Sequence, residues 1–235
     1  MNNACKEIDS VILCGGLGKR LKAIVGDRPK AMAQINQKPF LDILIEYLIT
    51  FECKRVILCI GHLGEAIKAY YKQRQFPIEI VFSEENEPLG TGGALKNAKP
   101  LITSKTFLAM NGDSFCSVDL NTFLDFHRQK GALLSVVVAA SEYSRDYASV
   151  TLSEDKRIVD FKEKSNISGS TLINAGVYLM QKDIFLNMPK RDSFSLELDV
   201  FPQMLDLACY GFLSDVSCID IGTPQRYEEA KRILQ

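Results

Sequence analysis

The apolar run Val11-Ile12-Leu13-Cys14 leads straight into Gly15-Gly16-Leu17-Gly18-Lys19-Arg20-Leu21, and Pro29-Lys30 follows nine residues after Arg20. A β-branched run that stops at clustered glycines reads as a strand ending in a loop whose backbone comes very close to something, because glycine leaves its amide uncovered and tolerates positive φ. Loops of this build cradle phosphates. Arg20 and Lys30 add fixed positive charge where a polyphosphate would lie, the guanidinium as a two-pronged clamp and the ammonium as a point charge. The spacing excludes two commoner phosphate loops. Gly16 and Gly18 supply G-x-G, but Leu21 stands where a dinucleotide fingerprint needs its third glycine. No Gly-Lys-Ser or Gly-Lys-Thr closes the loop, so the Walker pattern fails as well. On the glycines alone, a plain strand-to-helix turn fits equally well.

Through the first half, strand-like runs alternate with helical spacing. Val11 to Cys14, Arg55 to Ile60, Ile78 to Phe82 and Thr106 to Met110 read as buried strands, whereas Phe40 to Glu52, Leu63 to Arg74 and Leu120 to Lys130 carry apolar residues at helical intervals. That alternation predicts βαβ units, a largely parallel sheet with helices on both faces, and ligands at the carboxyl ends of the strands. The second half is richer in strands: Leu133 to Ala140, Ala148 to Leu152, Arg157 to Phe161 and Thr171 to Met180, with Ser153-Glu154-Asp155-Lys156 as a hairpin turn. Ser195 to Leu207 and Pro224 to Leu234 read as helices, the latter capped by Thr223. No repeat, low-complexity segment or linker divides the chain.

With 235 residues, 46% of them hydrophobic, and a net charge of −1, the chain can bury a sizeable core and has no basic patch, which argues against nucleic acid as a partner. Its seven cysteines form no C-x-x-C pair, so reduced, mostly strand-buried thiols are expected. Lys6, Glu7 and Asp9 interrupt any signal-peptide core, and the longest apolar stretch, Leu133 to Ala140, is too short to span a bilayer. The expectation is a cytoplasmic enzyme without a membrane partner, and homo-oligomerisation is left open. His62 and His127 have no Ser or Cys partner that would make a nucleophilic triad and are assigned no chemistry.

Asp113 and Asp220 each follow a short apolar run, Leu108 to Asn111 and Cys218-Ile219, so each can project from a strand end toward a common crevice. Magnesium prefers one or two carboxylates supplemented by substrate phosphate oxygens and water, which two aspartates suit; a turn Asp bonding its own backbone is the alternative. Leu89-Gly90-Thr91-Gly92-Gly93 is a second glycine loop, read as opening a helix at Ala94. Lys162-Glu163-Lys164 reads on its own as a solvated charge run.

Together these motifs resemble the sugar-1-phosphate nucleotidyltransferases, whose G-G-x-G-x-R-L followed by P-K matches Gly15 to Leu21 and Pro29-Lys30. Leu89 to Leu95, Asn111-Gly112-Asp113, Glu163-Lys164, Asn174 to Tyr178 and Ile219 to Pro224 match further blocks in order, so the resemblance covers nearly the whole chain. Lys19, where a small Thr is usual, and Ala31, where a second Pro is usual, depart from the pattern.

The resemblance implies an α/β fold with a Rossmann-like mixed, mainly parallel sheet flanked by helices, of the nucleotide-diphospho-sugar transferase type. It implies a single domain over 1–235, with a nucleotide-binding half to about residue 130 and a sugar-phosphate-binding half from about 131. Arg20 and Lys30 would be catalytic, on the triphosphate and its departing pyrophosphate. Leu13, Gly15, Gly16, Gly18, Glu84, Gly90, Thr91 and Gly92 would bind the nucleotide. Asn111, Gly112, Glu163, Lys164, Asn174 and Gly176 would bind the second substrate, with Lys164 on its phosphate and Glu163 on sugar hydroxyls. Asp113 and Asp220 would hold Mg²⁺. Ser195 to Pro202 resembles a block that closes the acceptor site, although Leu196 and Val200 at helical spacing fit the core equally well.

The implied activity joins an NTP to a sugar 1-phosphate, giving an NDP-sugar and pyrophosphate. Within the resemblance, Thr91 in the second glycine loop fits the guanylyl and mannose-type members better than the thymidylyl ones, and the short length together with the pairing of Leu13 to Gly18 with Leu89 to Ala94 implies GTP with a manno-configured sugar, heptose first and mannose second. Uridylyl or thymidylyl transfer to glucose 1-phosphate or an amino-sugar 1-phosphate is the alternative within the chemistry. A non-catalytic regulatory relative is the alternative outside it; loss of the Arg20, Lys30, Asp113 and Asp220 set would mark one, and all four are present.

Overall fold

The computed structural model describes residues 4–141, 147–162, 171–215 and 218–234. The apolar run forms strand β1 (Asp9–Leu13), and strand alternation sends Val11 and Ile12, both fully buried, into separate apolar clusters on the two sides of the sheet. After the glycine loop come a single-turn helix α1 (Lys22–Val25), a small hairpin of β2 (Gln34–Ile35) and β3 (Lys38–Pro39), and helix α2 (Phe40–Thr50). The expected alternation then unfolds as β4 (Arg55–Ile60), α3 (Gly64–Lys72), β5 (Glu79–Glu84), α4 (Gly90–Ala98) and β6 (Thr106–Asn111). Strand β7 (Ser114–Cys116), helix α5 (Leu120–Gln129) and strand β8 (Leu134–Ser141) complete the first half. The second contributes β9 (Ser149–Leu152), β10 (Ile158–Lys162), β11 (Thr171–Gln181), β12 (Cys209–Ser214), β13 (Cys218–Asp220) and α6 (Pro224–Ile233).

Nine of the described strands make one mixed sheet. The segment β6-β1-β4-β5 is wholly parallel, as βαβ connections require. Strand β11 runs antiparallel to it, carries β8 along one edge and shares the other between β9 and β6. Helices α2 and α5 bury Phe40, Leu44, Leu48, Phe123 and Leu124 against the Ile12 side of the sheet, and α4 buries Leu95 and Ala98 against the Val11 side. Each of these Phe and Leu side chains contributes about 1.5–3 kcal/mol by leaving water. At the N-terminal end of the sheet, Asp9 accepts from the Thr103 and Ser104 amides and from Arg55. Burial opposes ionisation there, but those donors outweigh it and hold the Asp9 carboxyl below the usual range.

Several expectations are corrected. Ser195 to Leu207 is not one α-helix: a π turn over Leu196–Val200 passes into a 3-10 turn over Phe201–Met204, because Pro202 has no amide to donate. The second glycine block does not precede its helix; α4 begins at Gly90, so the glycines form its first turn. Strand β12, parallel to β8, and the short β7 are additional elements. Thr223 caps α6 as expected, its hydroxyl accepting from the Arg226 amide at 3.4 Å. All seven thiols are unpaired, and six are buried. His127 is fully buried, 2.8 Å from the Ser135 hydroxyl, and serves the core. No helix among the described residues is long and apolar enough to cross a membrane.

Candidate active site

The carboxyl ends of β1 and β6 meet under the glycine loop. Gly112 donates to the Leu13 carbonyl at 2.9 Å, and a Cβ on Gly112 would press into Leu13 and Cys14, so only glycine lets the two strand ends close up. Gly18, at φ +58°, lies 3.0 Å from Lys30 Cβ by the same measure and gives Lys30 its room. Lys30 opens a 3-10 turn whose Ala31 and Met32 are buried, which anchors its backbone while the side chain reaches back to the strand ends.

Lys30 Nζ donates to Asp113 Oδ2 at 2.5 Å. Desolvation works against the Asp113 carboxylate, but the Lys30 charge, its hydrogen bond and one from Ser114 outweigh it and hold the carboxyl below its ordinary value. Strand β13 lies antiparallel to β7 with Asp220 opposite Ser114, and the Ile221 amide donates to the Asp113 carbonyl at 2.9 Å. Asp220 accepts from the Gly222 amide at 2.6 Å, from Arg226 at 2.8 Å and from the Tyr147 hydroxyl. A Cβ on Gly222 would sit 2.7 Å from Asp220, 3.7 Å from Lys30 Nζ and 3.8 Å from Arg20 Nη2, so the two cations and Asp220 surround one bare glycine beside Asp113.

Two cavities open on either side of this cluster. The larger, about 380 Å³, is lined by Leu13, Gly15, Gly16, Gly90, Thr91 and Asp113, among others. The smaller, about 160 Å³, has Ser114, Tyr147, Asn174, Gly176, Glu197 and Asp220 in its wall. Asn111 lines both, and its buried Oδ1 has no hydrogen-bond partner among the described residues. Gly176 sits at φ +73° where the pairing of β11 with β8 is interrupted; a side chain there would strike Asn111. A chain of hydrogen bonds runs between the cavities: Thr91 donates to Glu197 at 2.7 Å, Tyr178 to Glu197 at 3.3 Å, and Asn174 to Tyr178 at 2.8 Å.

Most of the residues singled out in the sequence therefore converge, but not all. Glu84 is exposed and pairs with Lys68 at 2.9 Å, away from both cavities, whereas the next residue, Glu85, lines the larger one. Gly92 packs against Phe194, and its amide donates to the Phe194 carbonyl at 3.0 Å; it shapes α4 and lines neither cavity. Gly18 supports Lys30 as described. Glu163 and Lys164 lie outside the described residues. Leu196 and Val200 are core, as spacing allowed, while Glu197 between them faces the smaller cavity. Tyr147, Ser114, Glu197 and Glu85 are the site residues that sequence reasoning missed. Glu197 stood in a recognised block, whereas Tyr147 and Ser114 carry no local signal.

Asp113 and Asp220 are the carboxylates that could hold a divalent cation. Two carboxylates at adjoining strand ends, beside room for phosphate oxygens and water, match what Mg²⁺ takes. Among the described residues no three His, Cys, Asp or Glu side chains cluster as an all-protein metal cage.

Residues 9–235 match the family described as Nucleotidyl transferase. The chain is 39% identical over 229 residues to D-glycero-alpha-D-manno-heptose 1-phosphate guanylyltransferase of Aneurinibacillus thermoaerophilus, covering 97% of this chain and 99% of that one. It is 38% identical over 220 residues to the protein of the same name from Campylobacter jejuni, covering 94% and 97%. Among solved structures, HddC from Yersinia pseudotuberculosis complexed with GMP-PN matches with a TM-score of 0.86 at 35% identity, covering 97% of this chain and 100% of that one.

Proposed function

Since this chain belongs to the nucleotidyl transferase family, we propose that it transfers a guanylyl group from GTP to D-glycero-D-manno-heptose 1-phosphate, with mannose 1-phosphate as the second choice of acceptor. The observation that carries this reading is the meeting of two cavities at Asn111, with Lys30 and Asp113 at one mouth and Asp220 at the other. The larger cavity has the glycine-lined wall a nucleotide needs, and the smaller is walled by hydroxyl, amide and carboxylate groups suited to a sugar. On this reading residues to about 130 form the nucleotide half and residues from about 131 the acceptor half. The seven unpaired thiols fit a reducing compartment, so we place the enzyme in the cytoplasm.

A phosphate oxygen of the sugar 1-phosphate attacks the α-phosphorus of GTP, the bond from that phosphorus to the bridging oxygen breaks, and pyrophosphate departs with the electron pair. No proton has to move, because the attacking phosphate is already ionised. The protein's task is positioning and charge neutralisation. Arg20 and Lys30 bind the triphosphate and the leaving pyrophosphate; Asn111 and Gly176 orient the acceptor beside it; Lys164 holds the acceptor's phosphate. Mg²⁺, when held by Asp113 and Asp220, supplies further neutralisation of phosphate charge. Glu197, in the wall of the smaller cavity, accepts from Thr91 in the wall of the larger one and from the buried Tyr178.

The test is pyrophosphate release by the purified protein across GTP, UTP and dTTP, each with heptose, mannose and glucose 1-phosphates. Release requiring Mg²⁺, GTP and a manno-configured sugar 1-phosphate is expected. Release without an acceptor would mean a hydrolase, and no release with any pair would mean a non-catalytic relative.

A further inference from the structure

Two thiols meet beside the smaller cavity. Cys116 closes β7 and Cys218 opens β13, and they stand directly opposite one another in the antiparallel pair. The Ile221 amide bonds the Asp113 carbonyl across the same two strands, so hydrogen-bonded positions alternate from there and Cys116 faces Cys218 at a non-bonded one. Strands stand closest at such positions, about 4.5 Å between Cα atoms, a separation that a disulfide can span. The Cys218 thiol already donates to the Cys116 sulfur at 3.3 Å. Cys116 is fully buried, whereas Cys218 is half-buried and stands in the wall of the smaller cavity with Ser114 and Asp220. The other six thiols are all buried. Cys14 also reaches a cavity wall, but its thiol donates to the Cys59 carbonyl at 3.1 Å, and burial pushes its pKa up to about 12, which keeps it in the unreactive thiol form.

We propose that Cys116 and Cys218 form an oxidation site, in which hydrogen peroxide entering the smaller cavity converts the pair to a disulfide that ties β7 to β13 and weakens acceptor binding. The Cys218 sulfur attacks one peroxide oxygen: an S–O bond forms, the O–O bond breaks, and the departing hydroxide takes the thiol proton away as water. The Cys116 sulfur then attacks the Cys218 sulfur. An S–S bond forms, the S–O electron pair leaves with the oxygen, and that oxygen takes up the Cys116 proton as a second water. Two thiols lose two electrons and the peroxide gains them. The sulfurs move from 3.3 Å apart to a bond of about 2.05 Å, a change within reach of side-chain rotation and a slight approach of the strands. The reduced pair is the resting state in a reducing compartment, where protein disulfides are transient redox signals. Closing it draws the Cys218 side chain toward Cys116 and away from the cavity wall that it shares with Ser114 and Asp220. The effect on the acceptor rests on the acceptor reading of the smaller cavity above; the disulfide itself does not.

The experiment treats the purified full chain with hydrogen peroxide, blocks the remaining thiols with N-ethylmaleimide under denaturing conditions and maps the unreduced peptides by mass spectrometry, for the wild type, Cys116→Ser and Cys218→Ser. The wild type should lose two of its seven alkylatable thiols to a peptide joining Cys116 to Cys218, and dithiothreitol should restore them. Cys116→Ser should stop at the sulfenic acid, which dimedone labels at Cys218, and Cys218→Ser should form no cross-link. In the wild type, oxidation should lower kcat/KM for heptose 1-phosphate reversibly by about tenfold or more, since misplacing a positioning group by about 1 Å can cost on the order of 10²-fold. KM for GTP should hold. Saturating heptose 1-phosphate should slow the oxidation by covering Cys218. Seven free thiols after peroxide, or a bond that joins any other pair, overturns the site. A disulfide that leaves the kinetics unchanged overturns its effect on the acceptor. Formation at the same rate with and without the sugar phosphate overturns the acceptor reading of the smaller cavity and leaves the oxidation site standing.

Discussion

The Ile221 amide donates to the Asp113 carbonyl at 2.9 Å, tying the residue after β13 to the residue before β7. Two carboxylates that are 107 positions apart in sequence, Asp113 and Asp220, are thereby fixed at neighbouring strand ends by backbone geometry, independently of any ligand. Arg226 and Tyr147 hold Asp220 from one side and Lys30 holds Asp113 from the other, so the site is preorganised before substrates arrive.

Lys30 is accordingly expected to matter more for rate than for stability. Lys30→Met should lower kcat on the order of 10²-fold or more, the usual cost of losing one preorganised electrostatic partner. Asp113→Asn should raise the Mg²⁺ concentration needed for half-maximal rate. Turnover at different Mg²⁺ concentrations, alongside circular dichroism, checks both; near-normal rates in folded variants would refute the assigned roles.

Thr91 tests whether the hydrogen-bonded path between the cavities is used. Thr91→Val removes the donor to Glu197 and the acceptor of the Leu196 amide while keeping the shape. Its KM for the sugar phosphate should rise about tenfold, the scale of one hydrogen bond to a charged group, although Thr91 lines the larger cavity and not the smaller. An effect on KM for GTP alone would mean that the two cavities bind independently.

The parts of this site legible in the sequence are those with local signals. Glycines beside a β-branched run mark the β1 loop, Pro29-Lys30 marks its cation, and short apolar runs point Asp113 and Asp220 at strand ends. What stays hidden depends on register and on distant packing. Glu84 and Glu85 are adjacent and chemically alike; which one lines the larger cavity follows from pairing with β4, where Ile60 aligns with Glu84. Gly92 looks like a ligand loop because close packing on Phe194 demands the same residue as close approach to a ligand. Strand β12 is masked by Gly211, whose missing side chain makes room for Leu152 from β9. Tyr147 enters the site through its bond to Asp220, a contact between residues 73 apart that no spacing rule anticipates.

Lys164 separates the two substrates kinetically. If it binds the acceptor's phosphate, Lys164→Ala should raise KM for sugar 1-phosphate roughly tenfold or more, since a charge-assisted hydrogen bond is worth about 1.5–3 kcal/mol. KM for GTP should hardly change. A solvated lysine would leave both constants as they are, and an effect on GTP alone would put Lys164 on the other ligand.

His127 makes stability, as distinct from activity, depend on pH. It is fully buried on α5, with Nδ1 2.8 Å from the Ser135 hydroxyl and Nε2 3.4 Å from the Gln181 amide nitrogen. An amide that donates to Nε2 leaves Nδ1 to carry the proton, so the native ring is neutral. Burial, assisted by the nearby Arg128 charge, lowers its pKa from 6.5 to about 4. The unfolded chain therefore binds a proton that the native chain refuses between those two values, and stability must fall as pH drops through that window. The loss amounts to about 3 kcal/mol at most, by the conversion of pKa shift to free energy. Glu85, whose pKa is raised, contributes in the opposite sense, but it is common to the wild type and a His127→Gln variant. The difference between their Tm curves from pH 7 down to about 4 thus isolates the histidine: the variant should be less stable at neutral pH through lost packing, yet its curve should be the flatter. Parallel curves would mean that the native protein protonates His127 as readily as the unfolded chain does.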